Sequence, residues 1–280
     1  MMRTLLAALY APLFFLGFVG LTCWLLATGH SPFWLLPLLL VAIAVSGMAE
    51  RLIPWEPVWN KDHGDTARDI AHALVNEASN IVSILAIPLL AALLPASGLW
   101  PSHWPFVAQL ALAIGIADFG ITLAHYASHK SKWLWRLHAP HHSVERLYGF
   151  NGLMKHPLHQ AIEMFGGLSP LLIMGLPQTI AWALAVAVSI QLMLQHSNVD
   201  MRIGLLRYVW AIAPSHRFHH IRSARHGDVN FGLFTSLWDV LLGTARFSGP
   251  PIRAGDIGID GRPDYPRGYA AQLAEPFTGR

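Results

Sequence analysis

Four stretches of this chain are long and apolar enough to cross the roughly 30 Å of a bilayer's hydrocarbon: residues 5–28, 33–49, 80–94 (reading back as far as Ile70) and 104–124. No water reaches the backbone there, so each must close its own hydrogen bonds as a helix. Composition agrees: charged residues are 12% of the chain and hydrophobic ones 54%, where a soluble domain carries about 25% charge. The first run is too long for a signal-peptide core and leads into a second span after a short turn, so it reads as an anchor.

The turns at 29–32 and 95–103 carry no charge, whereas Arg3, Arg51, Lys61 and Arg68 flank the other ends of the spans. The positive-inside rule then places the N-terminus and the 50–69 loop in the cytoplasm. Four crossings return the chain there at His125, beside Lys130, Lys132 and Arg136. The apolar region 165–194 is broken by Gly175-Leu176-Pro177, a turn signal. It reads as a short helical hairpin that dips in and comes back, leaving the C-terminus cytoplasmic too. Residues 205–213 and 231–242 are too short to span and read as interfacial helices. The expected fold is all-α: a multi-pass membrane helical protein with four spans, the hairpin and a cytoplasmic histidine-rich metal-binding cap. Residues 1–250 form one integral-membrane domain, and 251–280, rich in Gly, Pro and Arg, an irregular tail. A bacterial inner membrane is the expected location.

The cap is where the chemistry gathers. Twelve of sixteen histidines lie between His125 and His226. His125 and His129 make an HxxxH pair; His138, His141, His142 and His216, His219, His220 make two HxxHH boxes, where roughly 0.05 chance matches are expected. Residues i and i+4 share a helix face, so each set can present imidazoles together. Pro140 disfavours helix at Ala139, which predicts a helix beginning there with His138 just outside; Pro214 suits a helix start before His216. Eight imidazoles exceed what one ion takes and suit two. His196 is the expected ninth ligand. His156, His226 and Asn198 are either further ligands or groups bonded to one, and His159 has a weaker claim. His30, His63, His72 and His103 read as ordinary interfacial or loop residues. The lone Cys23 sits in an apolar run, so ligands must be nitrogen and oxygen. Imidazole alone does not name the metal, and zinc, copper, nickel and iron stay open.

Carboxylates are scarce, and one inside a span is costly. Asp118 lies on the face of His125, either bonding that imidazole or contacting substrate. Glu77 with Asn76 and Asn80 forms a second polar group. Asp239 either holds a ligating imidazole or caps a helix. The pI near 9.2 does not signal nucleic acid, because the basic residues form no run with interleaved aromatics.

HxxxH, HxxHH and HxxHH in this order after membrane spans resemble the fatty acid hydroxylase/sterol desaturase superfamily. Further matches are Ala117-Asp118-Phe119, Trp133 through Ser143, His156-Pro157-Leu158, Gln195 through Asn198, Asn230-Phe231-Gly232 and Ser236 through Asp239 with Gly243-Thr244. The resemblance covers 117–244. Tyr126 departs from a common form with Arg after the first box histidine. The resemblance implies two iron ions held by the box histidines, O2 as oxidant, and hydroxylation or desaturation of a membrane lipid (sterol-like, fatty-acyl or isoprenoid). No haem-attachment, ferredoxin or dinucleotide-loop motif is present, so electrons are expected from a separate redox donor. A zinc hydrolase would need HExxH, which is absent. The alternative is a histidine-rich metal transporter or a non-catalytic metal-binding relative; a transporter would place its ligands mid-membrane. Oligomeric state is not legible.

Overall fold

The computed structural model describes residues 1–93 and 98–278; Leu94 and residues 95–97 of the third turn lie outside it. Among the described residues the chain is all-helical, with three isolated β-bridges and no strand. The first four long helices are α1 (Met2–Ala27), α2 (Leu35–Leu52), α3 (Thr66–Leu93) and α4 (Phe106–Lys130). Each covers all but one or two residues of the apolar run that predicts it, Leu94 lying outside the described residues. α3 begins well before residue 80 because Asp62 Oδ1 accepts the N–H groups of Gly64, Asp65 and Thr66 and so starts the helix.

α5 (Lys132–His142) follows α4 after Ser131, whose hydroxyl caps it. The expected helix start at Ala139 is corrected here: α5 runs through Pro140 with His138 inside it. Pro140 offers no N–H to the Arg136 carbonyl one turn earlier, and the helix closes two residues later. α6 (Pro157–Met174) and α7 (Gln178–His196) form the hairpin, joined by the left-handed Gly175 (φ 91°), Leu176 and Pro177. α7 is itself long and apolar enough to cross a membrane, making five such helices among the described residues. It is also the central helix: Ala183, Ala187, Ile190, Met193 and Leu194 are fully buried, and α1, α2, α3 and α4 pack around it.

The remaining elements are short: α8 (Ala213–His216), α9 (Ala224–Gly227), α10 (Leu237–Leu242) and α11 (Tyr269–Ala274). The two expected interfacial helices are therefore corrected. The first is a 3₁₀ turn, Gly204–Tyr208. The second is helical only from Leu237, because the Asp239 carboxylate takes the N–H groups of Phe231 and Gly232 and holds that segment in a loop. Their apolar side chains still point outward: Leu205, Val209, Leu237 and Leu241 are each more than half exposed. Residues beyond 250 pack back on the cap, burying Ile252, Ile257 and Gln272.

Candidate metal centre

The nine expected ligands converge at one end of the bundle. His125 and His129 end α4, His138, His141 and His142 form the last turn of α5, and His196 ends α7. His216 closes α8, started by Pro214, and His219 and His220 follow in tight turns. They sort into two groups that could each hold an ion: His125, His129, His138, His142 and His219 in one, His141, His196, His216 and His220 in the other. The sorting follows helix geometry. Partners four apart (125/129, 138/142, 216/220) share a group, while the middle histidine of each HxxHH box faces the other group.

The hydrogen bonds test whether these residues fit a metal. His125 Nδ1 lies 2.9 Å from Phe231 O, and His219 Nδ1 lies 2.8 Å from Val229 O. A carbonyl only accepts, so both Nδ1 atoms carry the proton and both Nε2 atoms present lone pairs. Those two Nε2 atoms face each other at 2.9 Å. No proton is available to join them; a cation between or beside them satisfies both. His129 Nδ1 is held at 2.9 Å by Asp228, and His129 Nε2 is 3.1 Å from His142 Nε2. In the second group, His141 Nδ1 bonds Met154 O, His196 Nδ1 bonds Asn151 Oδ1, and His220 Nε2 sits 3.1 and 3.2 Å from the Nε2 atoms of His196 and His216. Burial holds His138, His142, His219 and His220 well below the ordinary histidine range, and pushes His141 and His216 to about 3. Lys155 and neighbouring imidazoles reinforce the shift. At neutral pH these rings are uncharged donors of lone pairs, and the residues fit a pair of metal ions.

Asp118 does not bond His125. Its carboxylate accepts from Phe234 N (2.7 Å), Thr235 N, Thr235 Oγ1 and Trp238 Nε1. With Asp239 it fixes the loop 231–238, whose Phe231 carbonyl in turn orients His125. Asp239 likewise touches backbone rather than an imidazole. His156 is outside both groups: its Nδ1 caps α6 through Leu158 N, and its Nε2 meets Leu273 O. His226 is exposed and also outside, and Asn198 locks Glu56 and Asn60. His159 stacks 4.3 Å from the His138 ring and bonds Ser128. His72, expected to be ordinary, is fully buried between Lys155 O and Gln272 Oε1. Sequence reasoning missed Asp228, Asn151 and Glu50, whose Oε1 accepts from both Gly149 N and Asn198 N. It also missed the buried Lys155–Glu163 ion pair.

Two spaces reach the histidines. A cavity of about 390 Å³ opens at His129, His142 and His219, with Lys130, Asp228 and Arg222 among its lining residues. On the opposite side a small chamber is lined by His125, His138, His141 and His216 together with Lys155, Glu163, Phe231 and Leu233.

The sequence model of the fatty acid hydroxylase family matches residues 110–244. An ornithine lipid hydroxylase of Rhizobium tropici is 37% identical over 256 residues, covering 88% of this chain and 76% of that protein. An alkylglycerol monooxygenase of Caenorhabditis elegans is 27% identical over 158 residues, 55% of this chain and 30% of that one. No solved structure matches the chain.

Proposed function

The chain belongs to the fatty acid hydroxylase family, and on that premise we propose that it is a membrane-bound lipid hydroxylase using O2 and electrons from a separate redox protein. The observation that carries this reading is the pair of interleaved imidazole groups whose ring nitrogens approach to about 3 Å, with opposed lone pairs at His125 and His219. Two iron ions bound there would supply O2 activation, which an unactivated C–H bond requires because it offers neither a leaving group nor an acidic proton. The names of both relatives favour hydroxylation over desaturation. One oxygen atom then enters the C–H bond, and the other leaves as water with two electrons from the donor and two protons.

The chain's own residues prepare the site. Phe231 O, Val229 O, Met154 O, Asn151 and Asp228 fix the ring orientations, as groups bonded to a ligating imidazole do. Ile121, Leu192, Phe231 and Leu233 keep the chamber dry, which protects a reactive oxidant from side reactions. The histidine end faces the cytoplasm, with both termini on that side, and residues 1–250 act as one integral-membrane unit.

The test is metal analysis of protein purified without added metal, followed by reconstitution in lipid with a reductant and isotope-labelled O2. The expected result is about two ions per chain and label in a lipid hydroxyl; active protein holding one ion or fewer contradicts it. His141→Ala and His219→Ala should each abolish turnover while membrane insertion persists.

A further inference from the structure

An apolar slot lies in the membrane-spanning part of the bundle and adjoins the histidine chamber at Ile121. Its walls are Ala117 and Ile121 of α4, Gly167 and Leu168 of α6, and Ala181 through Val188 of α7, with Ile84 of α3 opposite. The same helix faces continue into the chamber: Ala117, Ile121 and His125 are successive turns of α4, and Ala181, Ala185, Val188, Leu192 and Gln195 descend one side of α7. Ile121 lines both spaces. Asn80 also lines the slot, but its amide is engaged by Gln160 and Glu77, so the free lining is apolar.

The slot is narrow. Its free space is about 70 Å³, and small side chains at Ala117, Gly167, Ala181 and Ala185 create it. That width suits a single hydrocarbon chain rather than a fused ring system. From Val188 to Ala181 it extends about 10 Å along α7 at 1.5 Å per residue. It leads away from the end of α4 that carries Lys130, toward the hydrocarbon interior. At the chamber end stands the Lys155–Glu163 pair, buried and facing the histidines. Among the described residues Glu163 is the one partner of the Lys155 ammonium, which leaves donors for a carbonyl or headgroup oxygen.

We propose that one acyl chain of a bilayer lipid lies in this slot with its methyl end toward the membrane interior. The carbons presented to the histidines are then those next to the lipid's polar end, with Lys155 receiving a polar oxygen. This orientation matches that of a lipid resting in the adjoining leaflet, so the substrate enters sideways without inverting. The inference rests on the lipid hydroxylase reading and specifies which C–H bonds that reaction would reach.

The test uses the full-length, metal-loaded protein in phosphatidylcholine vesicles. These contain a trace of phosphatidylcholine carrying a diazirine either near the carbonyl or near the methyl end of one chain. After illumination, adducts are mapped by mass spectrometry. The methyl-end probe should label Leu168, Ala181 and Leu184, and the carbonyl-end probe Ile121 and Leu192. Ile121→Trp should cut slot labelling by about tenfold or more, the scale on which overfilling a packed apolar site weakens it, with metal content unchanged. Val188→Trp imposes the same block from α7 should the first variant fail to fold. A reversed pattern, or labelling confined to outward residues such as Leu85 and Phe165, overturns the proposal. The expected pattern without lipid oxidation leaves the slot standing and rejects the hydroxylase reading. Oxidation at the methyl end keeps that reading and rejects the orientation.

Discussion

Three backbone carbonyls, at Met154, Val229 and Phe231, set the proton positions of His141, His219 and His125. The clustering of the box histidines was legible in the sequence because a shared helix face is a local property of spacing. The groups that orient it were not, because the chain brings them from afar: Asp228 is 99 residues from His129, and Phe231 is 106 from His125. No periodicity encodes such contacts. Asp118 was noticed for its cost in a span, yet its role is reached only through the loop it anchors. Asp118→Asn should lower stability by about 2 kcal/mol, because an amide N–H then faces donors that a carboxylate satisfied. The same substitution should reduce metal content through the loosened Phe231 carbonyl. Chemical denaturation and metal analysis check both, and a variant with unchanged stability would show that those four bonds are dispensable. His141 and His142 adjoin in sequence but serve different groups. Their alanine variants should accordingly give distinct metal-centre spectra at substoichiometric loading.

Helices were legible where length and apolarity decide, and less so where a single contact does. α5 continues through Pro140, against the local preference of the residue before a proline, and residues 231–236 stay unwound because one carboxylate holds two N–H groups. The closest helix contact also escaped the sequence. α4 and α6 touch backbone to backbone at Gly120 and Gly166, and a Cβ on Gly120 would lie 2.0 Å from Gly166 O. This contact holds the HxxxH helix against the helix carrying Glu163. Gly120→Ala should therefore separate the two and destabilise the protein by about 1–3 kcal/mol, the range typical of overpacking. A thermal midpoint equal to that of the unaltered protein would mean that the helices slide apart without cost.

For the molecule as a whole, both HxxHH boxes meet only because α6 and α7 bring the chain back to the end from which it left. Topology reporters at the N-terminus and after Arg225 should give the same side, and opposite signals would contradict the orientation argued from Arg and Lys. The sorting of the boxes has a further effect on how such a centre fills and empties. Each HxxHH box contributes to both groups, so the turn that supplies two rings to one group also supplies a third ring to the other. With two ions bound as proposed, withdrawing the first would free rings whose backbone is shared with the second group. Loading should then be cooperative, with a chelator titration removing both ions in one steep step rather than two, and half-filled chains scarce in native mass spectra at every point of the curve.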